Sequence, residues 1–305
     1  MFVEVLMQVA ILFILILIGF VLTKFNMLTQ SGVESMTDIV LTLVTPCVII
    51  KSFIREFKAE LLKGLLISLA ASVVLHIVFI VIASVFLHSK EKESERVLRF
   101  AAVFSNCGFM SIPLQQALLG DMGVFYGASF LAVFNIFIWS YGVISMSGDK
   151  KYLTAKKLII NPGIIGIILG FLIFFFSVPI PEIFKDAIDY MASLNTPLPM
   201  LIIGYHLAKS NLVRGFKYPK CYFAAFIKLI LFPLISLGLC YICGIRGTML
   251  TSIIISVAAP TAAITTMFSS KFSQNTALSV NIISVSTLLS IITMPAVITL
   301  AQYLA

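Results

Sequence analysis

The chain has 305 residues, 60% of them hydrophobic and 11% charged, and a formal net charge of +8. A soluble domain carries about 25% charged residues, so this composition cannot coat a water-facing globule, and a disordered chain would be poor in apolar residues and rich in charge. The 21 Lys and Arg fall in short gaps between apolar runs, which reads as membrane topology rather than as a nucleic-acid surface.

Ten apolar runs approach the roughly 20 residues that a helix needs to cross a bilayer. In chain order they cover about 3–23, 34–54, 62–87, 97–119, 123–146, 161–178, 186–208, 219–243, 248–269 and 277–303. The predicted fold class is an all-α polytopic membrane protein with ten transmembrane helices. The first run has Glu4 as its only early charge and no small-x-small cleavage site before Lys24, so it reads as a helix rather than a signal peptide. A connector at 147–160 separates residues 1–146 from 161–305, five runs on each side. An odd number of spans per half turns the second half upside down, which predicts two inverted five-helix repeats.

The connectors after runs 1, 3, 5, 7 and 9 hold fourteen basic residues, among them Lys92, Arg96, Arg99, Lys156, Lys157, Arg214 and Lys217. The opposite side holds six, with Lys51, Arg55, Lys58 and Lys63 between runs 2 and 3 pulling the other way. The bias predicts both termini outside a cell membrane and the central connector inside. The five cysteines, Cys47, Cys107, Cys221, Cys240 and Cys243, lie in or at the ends of apolar runs and read as small core residues. The Cys240/Cys243 pair has no neighbouring His or Cys pair, so no metal site is predicted.

The halves share a pattern. Asp38 precedes Thr45-Pro46 as Asp189 precedes Thr196-Pro197, eight residues from Asp to Pro in both. Arg55 and His206 follow those prolines by nine residues. Asn135-Ile136 and Asn281-Ile282 follow Pro113 and Pro260 by 22 and 21. Run 4 contains Ser105, Asn106, Ser111 and Pro113 near its middle, and run 9 contains Pro260, Thr261, Thr265 and Thr266. Proline removes a backbone donor and crowds the preceding turn. A kink is the ordinary result in a membrane helix; matched prolines in two halves predict instead two broken helices lining a transport site. Half-helix N-termini would then present N–H groups and partial positive charge to an anion.

These residues resemble the auxin efflux carrier family. The likeness rests on Ser105-Asn106 through Pro113-Leu114, then Gly120, Gly123, Tyr126, Phe134-Asn135-Ile136 and Trp139-Ser140; on Asn161-Pro162-Gly163 through Gly170; and on the stretch from Ser284 to Pro295. It implies ten helices in two inverted repeats, with crossing broken helices in spans 4 and 9. It also implies a scaffold of spans 1, 2, 6 and 7, a site of homodimer contact, and a transport unit of spans 3–5 and 8–10. Asn106, Pro113 and Pro260 would line the crossing. The short central connector departs from plant members and removes their long regulatory loop. The resemblance favours an organic anion, a dicarboxylate or an auxin-like carboxylate, as substrate.

The remaining intramembrane polar residues have two readings each. Lys228 lies about seven residues into span 8, some 10 Å from its end, where it either snorkels to the interface or opposes a substrate charge. His76 is a neutral core histidine or a proton relay. Asp38 and Asp189 are interfacial or take part in coupling. Asn135 and Asn281 either glue helices or face the pocket. A secondary carrier is the favoured function, with a passive anion channel or a ligand-binding membrane sensor as the alternative. No HExxH, GxSxG or GxxxxGK[ST] occurs, so neither an enzyme nor an ATP-driven pump is expected. No cofactor is expected, and the coupling ion, H⁺ or Na⁺, stays open.

Overall fold

A computed structural model describes residues 2–152, 161–210 and 219–305. Lys156, Lys157, Arg214 and Lys217, counted above in two connectors, lie outside them. The first half forms α1 (Phe2–Lys24), α2 (Gln30–Phe53), α3 (Ala59–Phe86), α4 (Lys92–Val103) and α5 (Cys107–Ser147). The second forms α6 (Pro162–Phe175), α7 (Glu182–Ser193), α8 (Pro197–Lys209), α9 (Pro219–Ile242), α10 (Gly247–Ala258), α11 (Ile264–Lys271) and α12 (Thr276–Leu304). Among the described residues no strand forms, apart from one antiparallel bridge between Ser105 and Thr261. Helix starts follow local chemistry: Thr29, Asn161 and Asn275 each accept a bond from a first-turn N–H, those of Gly32, Ile164 and Leu278.

Six of these helices, α1, α2, α3, α5, α9 and α12, are long and apolar enough to cross a membrane; α6 and α10 are apolar but shorter. Several predicted runs are therefore not single rods. Run 97–119 is divided between α4 and α5. Run 186–208 splits into α7 and α8 around Leu194–Thr196, and run 248–269 into α10 and α11. Runs 4 and 5 are joined in α5 by a kink at Gly120, where φ is 62° and ψ −156°, a conformation that only glycine adopts without strain.

Proline explains part of this and not all of it. Pro46, Pro113 and Pro233 each stand two residues after a π-helical turn, Val40–Val44, Cys107–Ser111 and Ile227–Leu231. A wider turn absorbs the missing donor and the ring without ending the helix. Pro113 therefore does not mark the break in the first half. That interruption falls at Phe104–Asn106, about two turns earlier.

The surface is apolar, and the largely apolar interior also buries polar side chains. Val3, Leu6, Met7, Ile14 and Leu17 of α1 and Leu66, Val74, Val81 and Val85 of α3 are exposed, while Ser52, Ser68, Ser72, Ser236 and Ser252 are buried. A water-soluble monomer does not carry such continuous apolar faces; lipid solvates them. Some buried hydroxyls bond within their own helix, as Ser72 Oγ does to the Ser68 carbonyl at 2.7 Å, and others link helices, as Ser68 Oγ does to the Tyr126 carbonyl at 3.1 Å and Ser252 Oγ to the Gly123 carbonyl at 2.6 Å.

Close backbone contact orders the packing. A Cβ on Gly204 of α8 would lie 2.2 Å from the Ile16 carbonyl of α1, and one on Gly19 would lie 2.5 Å from the Leu201 carbonyl. Small residues at that crossing let α1 and α8 touch. Gly166 of α6 meets Pro46 of α2 in the same way, and Gly170 meets Phe53. α4 with the start of α5 runs antiparallel to the part of α5 beyond Gly120. Arg96 meets Gly148, Phe100 and Phe104 meet Gly142, Phe104 meets Phe134, and Gln115 meets Gly127, one number rising as its partner falls.

Candidate functional site

The two interruptions meet. The Asn106 N–H donates to the Pro260 carbonyl at 2.7 Å, and the Ala262 N–H donates to the Phe104 carbonyl at 2.9 Å. Ser105 and Thr261 stand opposite each other between these bonds. Pro260 needs no N–H there, because its part in the bridge is to accept. Asn106 sits at φ −76°, ψ 55°, and the Cys107 N–H returns to the Ser105 carbonyl at 2.8 Å, an inverse γ-turn.

A broken helix leaves its last carbonyls unbonded, and each half supplies caps for the other. Thr261 Oγ1 donates to the Ala101 carbonyl at the end of α4, 3.0 Å. Ser111 Oγ donates to the Ile255 carbonyl at the end of α10, 3.2 Å. The Lys228 ammonium of α9 reaches the Val257 carbonyl at 2.9 Å. Lys228 is 0% exposed, which overturns the snorkelling expectation: its head points into the protein, onto the negative end of α10. Among the described residues it has no carboxylate within salt-bridge distance.

Buried groups with spare capacity surround the crossing. Ser105 Oγ, Thr265 Oγ1 and Gln115 Oε1 have no protein hydrogen-bond partner. Gln115 Nε2 is held by the Ser252 carbonyl at 3.0 Å and Ser256 Oγ at 2.8 Å. The Asn106 side chain is half-buried. Pro113 is buried on α5, beyond the π turn and outside the bridge.

The other predicted residues spread out. His76 is fully buried, its Nδ1 2.8 Å from the Ser72 carbonyl and its ring against Phe130 and Phe137; Nε2 has no partner. It lies one turn from Phe79, whose ring stacks at 4.3 Å on Phe232, one turn from Lys228. Asn135 is buried and donates to its own helix at the Leu131 carbonyl, 2.9 Å, with its amide near Gly163. Asn281 is buried on α12. Asp38 is exposed on α2, and Asp189 is exposed on α7, paired with Lys51 at 3.1 Å. Neither aspartate joins the crossing. Arg55, the expected mate of His206, lies half-buried over the Phe125 ring at 4.9 Å and beside Met122 Sδ, whereas His206 is exposed. Among the described residues no cluster of His, Cys, Asp and Glu is built to hold a metal.

Two contributors were missed in the sequence. Gln115 carries a full amide into an apolar run two residues after Pro113, and an intramembrane amide is itself a signal. Ser286 Oγ receives the Thr261 N–H at 3.2 Å, a contact across 25 residues that no local pattern announces.

A family model described as membrane transport protein, of the auxin efflux carrier type, matches residues 4–298. The chain belongs to that family. Among curated relatives, a protein of Methanothermobacter thermautotrophicus described as an uncharacterized transporter is 21% identical over 299 residues, covering 92% of this chain and 93% of its own. An uncharacterized transporter of Methanocaldococcus jannaschii is 21% identical over 295 residues, covering 93% and 94%. The family and the apolar helices together establish a multi-pass membrane protein of a transporter family.

Proposed function

We propose that the chain is a secondary carrier that moves a small organic anion, a dicarboxylate or an auxin-like carboxylate, by alternating access, with its site at the crossing of spans 4 and 9. In this reading α4 with the start of α5 is span 4, and α5 beyond Gly120 is span 5. The pair α7 and α8 is span 7, and α10 with α11 is span 9. The ten spans form two inverted repeats, and both termini lie outside the cell membrane. Spans 1, 2, 6 and 7 are the scaffold, on which a second copy docks, and the rest moves against it.

The observation that carries the proposal is the pair of backbone bonds joining the interruptions, Asn106 to Pro260 and Ala262 to Phe104. Irregular backbone at membrane depth is tolerated where protein or a cavity satisfies it. Here the carbonyl ends are capped by Thr261, Ser111 and Lys228. The first turns of α5 and α11, whose ends are positive, flank the bridge. A carboxylate would be met by those N–H groups, by the Asn106 amide and the Ser105 and Thr265 hydroxyls, with the Lys228 amine behind them. The anion is favoured over a cation because the carbonyls already have donors and the spare groups include donors.

Uptake into proteoliposomes tests it. Saturable entry of a labelled C4-dicarboxylate or aromatic carboxylate, accelerated by unlabelled substrate inside, is the expected result. Flux that neither saturates nor responds to internal substrate would falsify the carrier and favour the channel. Binding without any flux would favour the sensor.

A further inference from the structure

Away from the crossing, a cavity of about 490 Å³ opens at the N-terminal end of α4. Its wall is made by Ser84 of α3, by Lys92, Glu95, Arg96 and Arg99 of α4, and by Tyr141, Ile144 and Ser145 of α5. Arg96 and the interruption at Phe104 are separated by about 12 Å of helix, and Lys92 by about 18 Å, so this is not the proposed transport site. No wall residue comes from α1, α2 or α6–α12.

The cations differ in what they are committed to. Arg99 is structural: it pairs with Glu95 at 2.9 Å and donates to the Leu87 and Ser84 carbonyls at 2.9 and 3.2 Å, closing the end of α3. Lys92 and Arg96 have no carboxylate within 4 Å among the described residues. Arg96 is nevertheless placed. Its guanidinium packs where a Cβ on Gly148 would sit, and Gly148 has φ 74°, so the glycine both ends α5 and makes room for the cation. Of the hydroxyls, Ser84 is bonded to the Ile80 carbonyl, which leaves Tyr141 and Ser145 as neutral donors. The first turn of α4 adds its positive end, offset in part by Glu93, while Glu95 is paired with Arg99.

The cavity therefore offers two uncommitted cations and two hydroxyls in a volume suited to a small ligand. Beside it α3 presents Val81, Val85 and Phe86 to the outside, each more than half exposed; such an apolar surface belongs in lipid and sets the cavity at headgroup depth. Planar, forked Arg96 and point-charge Lys92 together suit a phosphate oxyanion, and basic pockets between membrane helices take anionic headgroups. We propose that this cavity is a binding site for a phosphate-bearing oxyanion, carried either by an anionic phospholipid or free in solution.

The test is thermal unfolding of the full chain in detergent at fixed ionic strength, with three probes: phosphatidylglycerol in mixed micelles, phosphatidylcholine in the same micelles, and inorganic phosphate. A ligand of the folded state raises Tm by mass action; a rise of about 3 °C or more is expected from at least one phosphate probe. Phosphatidylglycerol active with inorganic phosphate silent names the lipid headgroup as the source. Inorganic phosphate active names the free ion. In Lys92→Gln/Arg96→Gln the shift should fall to less than a third, while Lys185→Gln leaves it whole. Should the double variant not fold, salt supplies the second readout: the wild-type shift should shrink between 50 and 500 mM NaCl. A shift that is equal in the double variant, or unmoved by salt, or absent with all three probes, or as large with phosphatidylcholine as with phosphatidylglycerol, overturns the proposal.

Discussion

The two interruptions do the same job with different caps. Between α4 and α5 the irregular stretch is Phe104–Asn106; between α10 and α11 it is the longer Ala259–Ala263. The carbonyl end of α4 is met at Ala101 by a hydroxyl, that of Thr261. The carbonyl end of α10 is met at Ile255 by a hydroxyl and at Val257 by an ammonium. The bridge between them is close to symmetric in its backbone bonds, yet the charge beside it is one-sided. A buried lysine caps the second break, and among the described residues no lysine or arginine caps the first. In the proposed carrier, the paired backbone bonds would form the cradle and Lys228 would set its sign.

Removing that lysine should break the comparison most. Lys228→Ala leaves the Val257 carbonyl without its donor and a hole where the four-carbon stem lay. We expect a loss of roughly 2–4 kcal/mol in folding stability, read as a fall in Tm in detergent, and a drop in anion uptake of at least tenfold. Lys228→Met fills the stem volume and recovers part of the Tm, but uptake stays low. If Lys228→Met transports like the parent, the lysine is a cap only and the sign of the site lies elsewhere.

The next effect separates side chain from backbone at the first break. Asn106 contributes its N–H to the bridge, and that group survives Asn106→Ala. Its side-chain amide is half-buried beside the positive end of α5. Uptake should fall about tenfold, near 1.4 kcal/mol, while Tm moves by less than about 2 °C. A large fall in Tm with unchanged uptake by the folded fraction would reduce Asn106 to a structural residue.

Smaller again are the reciprocal hydroxyl caps. Thr261→Val and Ser111→Ala each remove one buried bond, about 1 kcal/mol. If the two breaks lean on each other through the bridge, a double-mutant cycle should show coupling of about 0.5 kcal/mol or more; strict additivity would mean that the two ends are capped independently.

The class of protein was legible because composition and span length are global quantities that lipid dictates directly. The crossing was legible in part. Pro260 marks its break, since the ring sits in the irregular stretch itself. Pro113 misleads, because a π turn at Cys107–Ser111 absorbs it and the chain breaks at Phe104–Asn106 instead. Both outcomes answer the same lost hydrogen bond, and which one wins depends on contacts from the other half, the Pro260 carbonyl and the Ala262 N–H. Those partners lie more than 150 residues away, so no window of sequence contains the answer. Lys228 posed the same difficulty. Its depth was readable, but the direction of its head was set by α10, which frees the Val257 carbonyl. The aspartates Asp38 and Asp189 keep equal spacing to a proline and still stay outside the crossing, because spacing along a helix says nothing about which face meets a neighbour.

The smallest expected effect distinguishes the outer ends of the same two broken helices. α4 begins among charges, whereas α10 begins at Gly247 after Arg246, whose guanidinium lies 3.6 Å from the centre of the Tyr241 ring. At the start of α4, ahead of its apolar span, Glu95 accepts the Ser89 N–H at 3.0 Å and pairs with Arg99 and with His88. The Ser89 bond first, then Arg99 and the His88 contact, hold its carboxyl below the usual range against partial desolvation. A carboxyl lowered in the folded state stabilises fully above its unfolded value, about 4.3, and that stabilisation is lost as pH falls through the lower folded value. Lowering the pH from 7 to 5 should therefore leave this contribution intact, and descending below about 4 should remove it. Glu95→Gln removes it at every pH, about 0.2–1 kcal/mol for a partly exposed pair. The difference in Tm between parent and variant should be constant from pH 7 to 5 and shrink below 4. Arg246→Gln, at the matching end of α10, should show no such convergence, since among the described residues no side-chain carboxylate pairs with it. If the Glu95→Gln difference does not shrink below about pH 4, the carboxyl does not contribute as a paired anion, and the charged start of α4 is no more pH-sensitive than that of α10.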